Sequence, residues 1–166
     1  MVKRILMLSI AAGLLVACGQ QQTPTQMWDE ARKLSEEESY DEAMEIYEKI
    51  LAQESLTDTL RAKTTFTMAD LYLNHFKKYN SALNNYRTVA DNYSSTRWGP
   101  KSQFMIGYVY ANHLHDYDKA KREYQNFLDI YPAHELGEAV RFEMTYLGKD
   151  LDEIQDLEFL NSAEQQ

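Results

Sequence analysis

The stretch Tyr117–Pro132, YDKAKREYQNFLDIYP, occurs three times in this chain in slightly different words. Tyr79–Ser94 reads YNSALNNYRTVADNYS, and Tyr40–Ser55 reads YDEAMEIYEKILAQES. A chain of 166 residues has room for one domain with a sizeable core. A phrase recurring at a fixed interval says that this core is assembled from copies of one unit. With a shift of 38 residues, Phe66, Phe104 and Phe142 superimpose, and Trp28 falls on the same grid. Tyr72 then pairs with Tyr110, Tyr79 with Tyr117, Ala82 with Ala120, Tyr86 with Tyr124 and Tyr93 with Tyr131. The first unit is one residue shorter in its inner turn, from Leu34 to Tyr40, and one longer in its connection to the second.

Each unit reads as two helices. In the third, Ile106-Gly107-x-x-Tyr110 marks helix A, and Tyr117-x-x-Ala120-x-x-x-Tyr124-x-x-Phe127 marks helix B; apolar steps of three and four are the helical period. Gly107 costs an isolated helix about 1 kcal/mol relative to alanine, so a second helix is expected to cross closely there. Ala31 and Ala69 hold the same slot earlier, and Ala43, Ala82 and Ala120 are the small residues of helix B. Capping chemistry sets the boundaries. Ser39 with Glu42 three residues on is expected to form a capping box, Asp116 takes the same place in the third unit, and Lys78 is a poor cap in the second. Gly99-Pro100 suits a helix start, and Gly148 suits a helix end.

These residues resemble the tetratricopeptide repeat, in which small and large contacts of helix A are followed by a tyrosine, then Ala-x-x-x-aromatic in helix B, then proline. Ile106-Gly107-x-x-Tyr110, Ala120-x-x-x-Tyr124 and Pro132 match it in the third unit. Met68-Ala69-x-x-Tyr72 and Ala82-x-x-x-Tyr86 match it in the second, with Ser94 at the proline position. The first unit departs further, with Glu30 in a core-like slot and Ser55 for proline. The resemblance implies an all-α fold: a right-handed superhelix of stacked helical hairpins, about three repeats plus capping helices. Stacking is what such hairpins need, because none can bury its apolar face alone. The expected organisation is a signal peptide at 1–17, a lipidated cysteine and short tether at 18–24, and repeats at 25–55, 56–94 and 95–132. A half repeat at 133–148 follows, then a C-terminal capping helix and tail at 149–166, where Leu151, Ile154, Leu157 and Leu160 form an inward-facing stripe.

The N-terminus carries its own signature. Lys3 and Arg4 precede an apolar run of 12 residues from Ile5 to Val16. That is too short to span a bilayer, which takes about 20, and reads as an export signal. Leu15-Val16-Ala17-Cys18 resembles a bacterial lipobox, which implies cleavage before Cys18 and acylation of its thiol. Cys18 is the single cysteine, so no disulfide can form within one chain. Gly19, rather than aspartate, after the cysteine points to the outer membrane, with the protein facing the periplasm. Without residues 1–17 the chain keeps 15 basic and 26 acidic residues, a net of −11. Such a surface repels phosphate backbones, which speaks against nucleic-acid binding.

Catalytic signatures are missing from the sequence. It has no paired-cysteine or HExxH metal motif, no glycine-rich phosphate loop and no serine triad. His113 and His115 are two apart and do not share a helix face, and His75 recurs 38 residues before His113, as a turn feature would. No enzyme activity, metal, cofactor or small-molecule substrate is expected. What remains is surface. The A helices line the concave side of such a stack, which gives a candidate partner groove at Trp28, Arg32, Phe66, Asp70, Phe104, Tyr108 and Asn112. For the three ring positions Trp28, Phe66 and Phe104, packing of unit on unit is the favoured role, and Tyr108 is the residue expected to be exposed. Lys63 and Lys101, 38 apart, suit a partner carboxylate, but the asparagines that a two-carboxylate clamp wants are absent from the aromatic positions. The lipobox and repeats together resemble the BamD-like lipoproteins of outer-membrane assembly and the tetratricopeptide protein of the Tol-Pal system. The expected function is a lipid-anchored scaffold for an envelope protein or peptide. The alternative is an envelope tether or cell-division accessory that binds peptidoglycan or its enzymes.

Overall fold

The computed structural model describes residues 22–149. Along them run seven helices and no strand: α1 (Pro24–Glu36), α2 (Tyr40–Leu51), α3 (Asp58–Asn74), α4 (Tyr79–Asn92), α5 (Trp98–Asn112), α6 (Tyr117–Ile130) and α7 (Gly137–Tyr146). Each helix packs on the next, so the chain is a solenoid of helical hairpins α1/α2, α3/α4 and α5/α6, with α7 laid on α6. The hairpins follow the three phrases of the sequence. The signal-like residues 1–17, the lipobox with Cys18, and the stripe at 151–160 lie outside the described residues. Among the described residues no helix is long and apolar enough to cross a membrane.

The recurring residues occupy equivalent places. Tyr47, Tyr86 and Tyr124 are wholly buried, and so are Ala31, Ala69, Ala43, Ala82 and Ala120 where helices cross. Gly107 is the closest crossing. A Cβ there would lie 2.5 Å from Cδ1 and Cε1 of the Tyr124 ring. Glu30, in the slot that Met68 and Ile106 bury, is exposed, because no hairpin precedes the first among the described residues. The core falls into two clusters. Trp28, Tyr47, Ile50, Met68 and Leu71 belong to one; Leu73, Tyr86, Ile106, Tyr124, Phe127 and Val140 belong to the other.

Local chemistry fixes the helix ends. The capping box forms at Thr23 and Gln26, where the threonine hydroxyl accepts from the Gln26 amide and the Gln26 side chain accepts from the Thr23 amide. The box expected at Ser39 and Glu42 does not form, since the Ser39 side chain makes no cap hydrogen bond. Ser39 (ψ 60) departs from the extended backbone of the caps Thr23 and Thr57 (ψ 154 and 148), and its short side chain makes no cap bond there, whereas the longer Asp116 side chain at ψ 77 does. Each inner turn instead passes through one left-handed residue: Glu38 (φ 62), Lys77 (φ 53) or His115 (φ 51). The amide after it closes back on helix A, Ser39 to the Leu34 carbonyl, Lys78 to Tyr72 and Asp116 to Tyr110, at 2.8–2.9 Å. Asp116 caps α6 as expected, and Gly148 with φ 75 follows α7 as its stop. Arg61 of α3 donates to the carbonyls of Leu51 and Gln53, both at 3.0 Å, and so ties the end of α2 to the second hairpin.

Candidate functional site

Between α1 and α3, with the start of α5 as its third wall, lies an open groove of about 330 Å³. Four of the candidate residues, Trp28, Arg32, Phe66 and Asp70, line it together with Lys63 and Trp98. The repeat explains the arrangement. Residues 38 apart on successive A helices stand side by side, so Trp28 and Phe66 form neighbouring rungs. Both expected roles of these rings are realised. Trp28 is 9% exposed and packs its ring 6.2 Å from Tyr47, yet its edge forms groove wall. Phe66 is half-buried, 5.4 Å from the Tyr86 ring and 5.0 Å from Trp98.

The other three candidates fall outside this groove. Phe104 packs on Tyr124 at 5.9 Å. Tyr108, expected to be exposed, is half-buried between Phe104 and His113, with ring distances of 6.4 and 5.8 Å. Asn112 is exposed, donates to the Tyr108 carbonyl at 3.2 Å, and borders a separate depression of about 260 Å³ with Phe142 and Tyr146. His75 and His113 are the C-caps of α3 and α5 and stack on Tyr40 (3.8 Å) and Tyr79 (5.0 Å), so their recurrence belongs to the turn. Among the described residues no group of three histidine, aspartate or glutamate side chains stands close enough to hold a metal ion.

The groove wall is aromatic and carries both signs of charge, Arg32 and Lys63 with Glu36 and Asp70. Lys63 Nζ sits 3.1 Å from the centre of the Trp28 ring, a cation–π contact that Lys63 keeps at the groove wall. Burial lowers the Lys63 pKa; Asp29 opposes that, and Arg32 and Arg97 add to it. Arg97 and Lys101 lie over Trp98 at 4.9 and 5.4 Å. Arg32 is exposed and ion-paired with Glu36 one turn on. Asp70 is the buried acid of the wall. It accepts a 2.5 Å hydrogen bond from the Tyr86 hydroxyl. Burial pushes its pKa up to about 6, against the Tyr86 hydrogen bond and the charge of Lys101. Trp98 and Tyr47 escape the sequence reading. Trp98 has Leu60 and Leu136 at its repeat positions, so self-comparison files it with the core. Its rarity, as one of two tryptophans, was the available signal.

A family description, the tetratricopeptide repeat, matches residues 101–134, which span most of α5 and all of α6. The third hairpin matches a tetratricopeptide repeat, and the packing of adjacent helices on either side of it is consistent with a solenoid of such hairpins. Repeats of this class mediate contacts between proteins and are typically not catalytic. No curated protein matches the chain.

Proposed function

We propose that this chain is a non-enzymatic adaptor of a bacterial envelope, anchored by lipid on Cys18, whose α1–α3 groove holds a segment of another protein. The observation that carries this reading is the groove itself: two tryptophans, a phenylalanine, Arg32 and Lys63 gathered by three successive A helices, with Arg97 and Lys101 over the outer tryptophan. Tryptophan, tyrosine and arginine dominate the energetics of protein interfaces, and a concave helical surface suits an extended or helical peptide. The lipobox and the short stretch from Gly19 to Thr23 support a position close to a membrane, with the outer membrane and its protein-assembly machinery as the setting.

The test is site-specific crosslinking in living cells. A photoreactive residue at Asn74, exposed on the groove rim, is expected to yield one discrete adduct. The same residue at Thr88, exposed on α4, is expected to yield none. No adduct from Asn74, or the same adduct from both positions, would refute the adaptor reading.

A further inference from the structure

Consecutive helices pack on each other across short connections, so they alternate in direction. One end of the solenoid therefore gathers the starts of α1, α3, α5 and α7 with the ends of α2, α4 and α6. Contacts across this end join the hairpins. Pro24 shares a depression of about 300 Å³ with Leu56 and Leu60. The Phe66 and Trp98 rings are 5.0 Å apart, and the Tyr131 hydroxyl donates to the Ser94 carbonyl at 3.5 Å. The three connections that lie here, 52–57, 93–97 and 131–136, hold three formal charges and one histidine in 17 residues: Glu54, Arg97, Glu135 and His134. Leu56, Tyr93, Tyr131 and Leu136 in them are half-buried, and Ile130, the last residue of α6, is 52% exposed. The inner turns at the opposite end are different in kind. Residues 37–39, 75–78 and 113–116 carry five formal charges and three histidines in 11 residues.

The chain joins Cys18 at this same end. Five peptide steps separate Cys18 from Thr23, the cap of α1, a reach of at most about 18 Å. The far end of the 17-residue α3 lies about 25 Å beyond its start. A lipid on Cys18 would thus hold the connection end at the headgroups and the inner turns well away from them. Lying on its side is opposed by charge. The first hairpin, nearest the anchor, carries ten acids against three bases over residues 22–55, and charges are costly to strip of water. We infer that the solenoid stands upright on a membrane, with the end formed by connections 52–57, 93–97 and 131–136 resting on the lipid headgroups and Ile130 entering them. Tryptophan and tyrosine suit the membrane–water interface, and Tyr93, Tyr131 and Trp98 are at this end. Asp58, Asp91 and Asp129, exposed on its rim, stay in the hydrated headgroup zone. The α1–α3 groove then runs away from the membrane, from Trp98 and Lys63 at the foot to Asn74 and His75 at the far end. The inference rests on the lipid anchor proposed above and adds the face that meets the lipid.

The test couples Cys18, the single cysteine, to a maleimide phospholipid in vesicles of phosphatidylethanolamine and phosphatidylglycerol. Residues 18–166 are used, which carry every described helix. A photoreactive residue replaces Ile130 or Pro132 at the connection end, or Leu114 or His115 at the inner-turn end; all four positions are exposed. Circular dichroism checks that each labelled protein keeps its helix, and two positions at each end preserve the comparison if one of them unfolds the chain. Irradiation is expected to give phospholipid adducts, read by mass, from positions 130 and 132 and none from 114 and 115. The adducts should persist in high salt, because the contact is largely uncharged. Adducts from neither end, from both ends alike or from the inner turns alone would overturn the inference, and so would their loss in high salt. Because the thiol is joined chemically, the outcome does not depend on acylation in cells. Palmitate labelling of Cys18 tests that anchor separately, and the Asn74 crosslink tests the adaptor reading.

Discussion

Removing a single hydroxyl from each of the three equivalent tyrosines should give three different results. Tyr86→Phe deletes a short hydrogen bond to a largely buried carboxylate. A bond to a charged acceptor is worth roughly 1.5–3 kcal/mol, and Asp70 is left without its donor. Tyr124→Phe deletes a longer bond, 3.3 Å, to the half-buried Glu143, so a loss of about 0.5–1.5 kcal/mol is expected. Tyr47→Phe deletes no well-formed bond, Ser35 being the one hydroxyl close to it, and removes a buried hydroxyl. It should be neutral or stabilise the fold by up to about 1 kcal/mol. Each tyrosine is wholly buried and phenylalanine keeps its ring in place, so the differences isolate the hydroxyl. Urea denaturation at pH 8 separates the outcomes. With a slope of about 2 kcal/mol per molar, the Tyr86 variant loses roughly 1 M in midpoint while the Tyr47 variant does not move downward. A loss for Tyr47→Phe equal to that for Tyr86→Phe would refute the reasoning, because it would mean that Tyr47 has a partner in the folded chain.

Three further expectations concern single groups. Asp70, pushed up to about 6 from an ordinary value of 3.8, holds its proton more tightly folded than unfolded. Its contribution to stability is therefore full below about pH 4 and is lost as pH rises through about 6; Asp70→Asn should add on the order of 1–3 kcal/mol at pH 8 and nothing at pH 4, as measured by denaturation across that range. Gly107→Ala should gain about 1 kcal/mol from helix propensity but lose more to overpacking against the fixed Tyr124 ring, for a net loss of about 1–2 kcal/mol; a higher melting temperature would show that the crossing is looser than described. Cys18→Ala should leave an unprocessed precursor that takes up no labelled palmitate in growing cells, and labelling of the mutant would exclude this cysteine as the lipid site.

The fold was legible because a solenoid repeats its physics along with its sequence. Tyr86 and Tyr124, or Ala82 and Ala120, recur at a fixed spacing because each must fill the same hole between the same pair of helices. Four of the seven candidate residues share the groove, because the same grid put Trp28, Arg32, Phe66 and Asp70 on one face. What escaped was whatever breaks the period. Trp98 closes the groove from a position that is leucine in the neighbouring units, and the orphaned hydroxyl of Tyr47 depends on which side chains meet it across two helices. Periodicity shows that Tyr47 is buried but not what it faces. The Ser39 cap failed for a related reason, since after a left-handed residue the backbone leaves the extended cap shape, where the longer Asp116 side chain still reaches its amide and the serine side chain makes no cap bond.

The division of the core into two clusters has a mechanical corollary. The first hairpin carries its own apolar knot and meets the remainder through Met68 and Leu71 of α3, with Phe76 packed on it, while Ala69 and Leu73 join residues of α4 to α7 in the larger knot. Thermal motion should therefore loosen the α1/α2 end before the rest, and amide exchange should begin there. The groove straddles that seam, with Trp28 on the looser side and Trp98 on the firmer one. An occupant touching both would act as a staple across the joint, and the first hairpin would gain rigidity only while the cargo is in place.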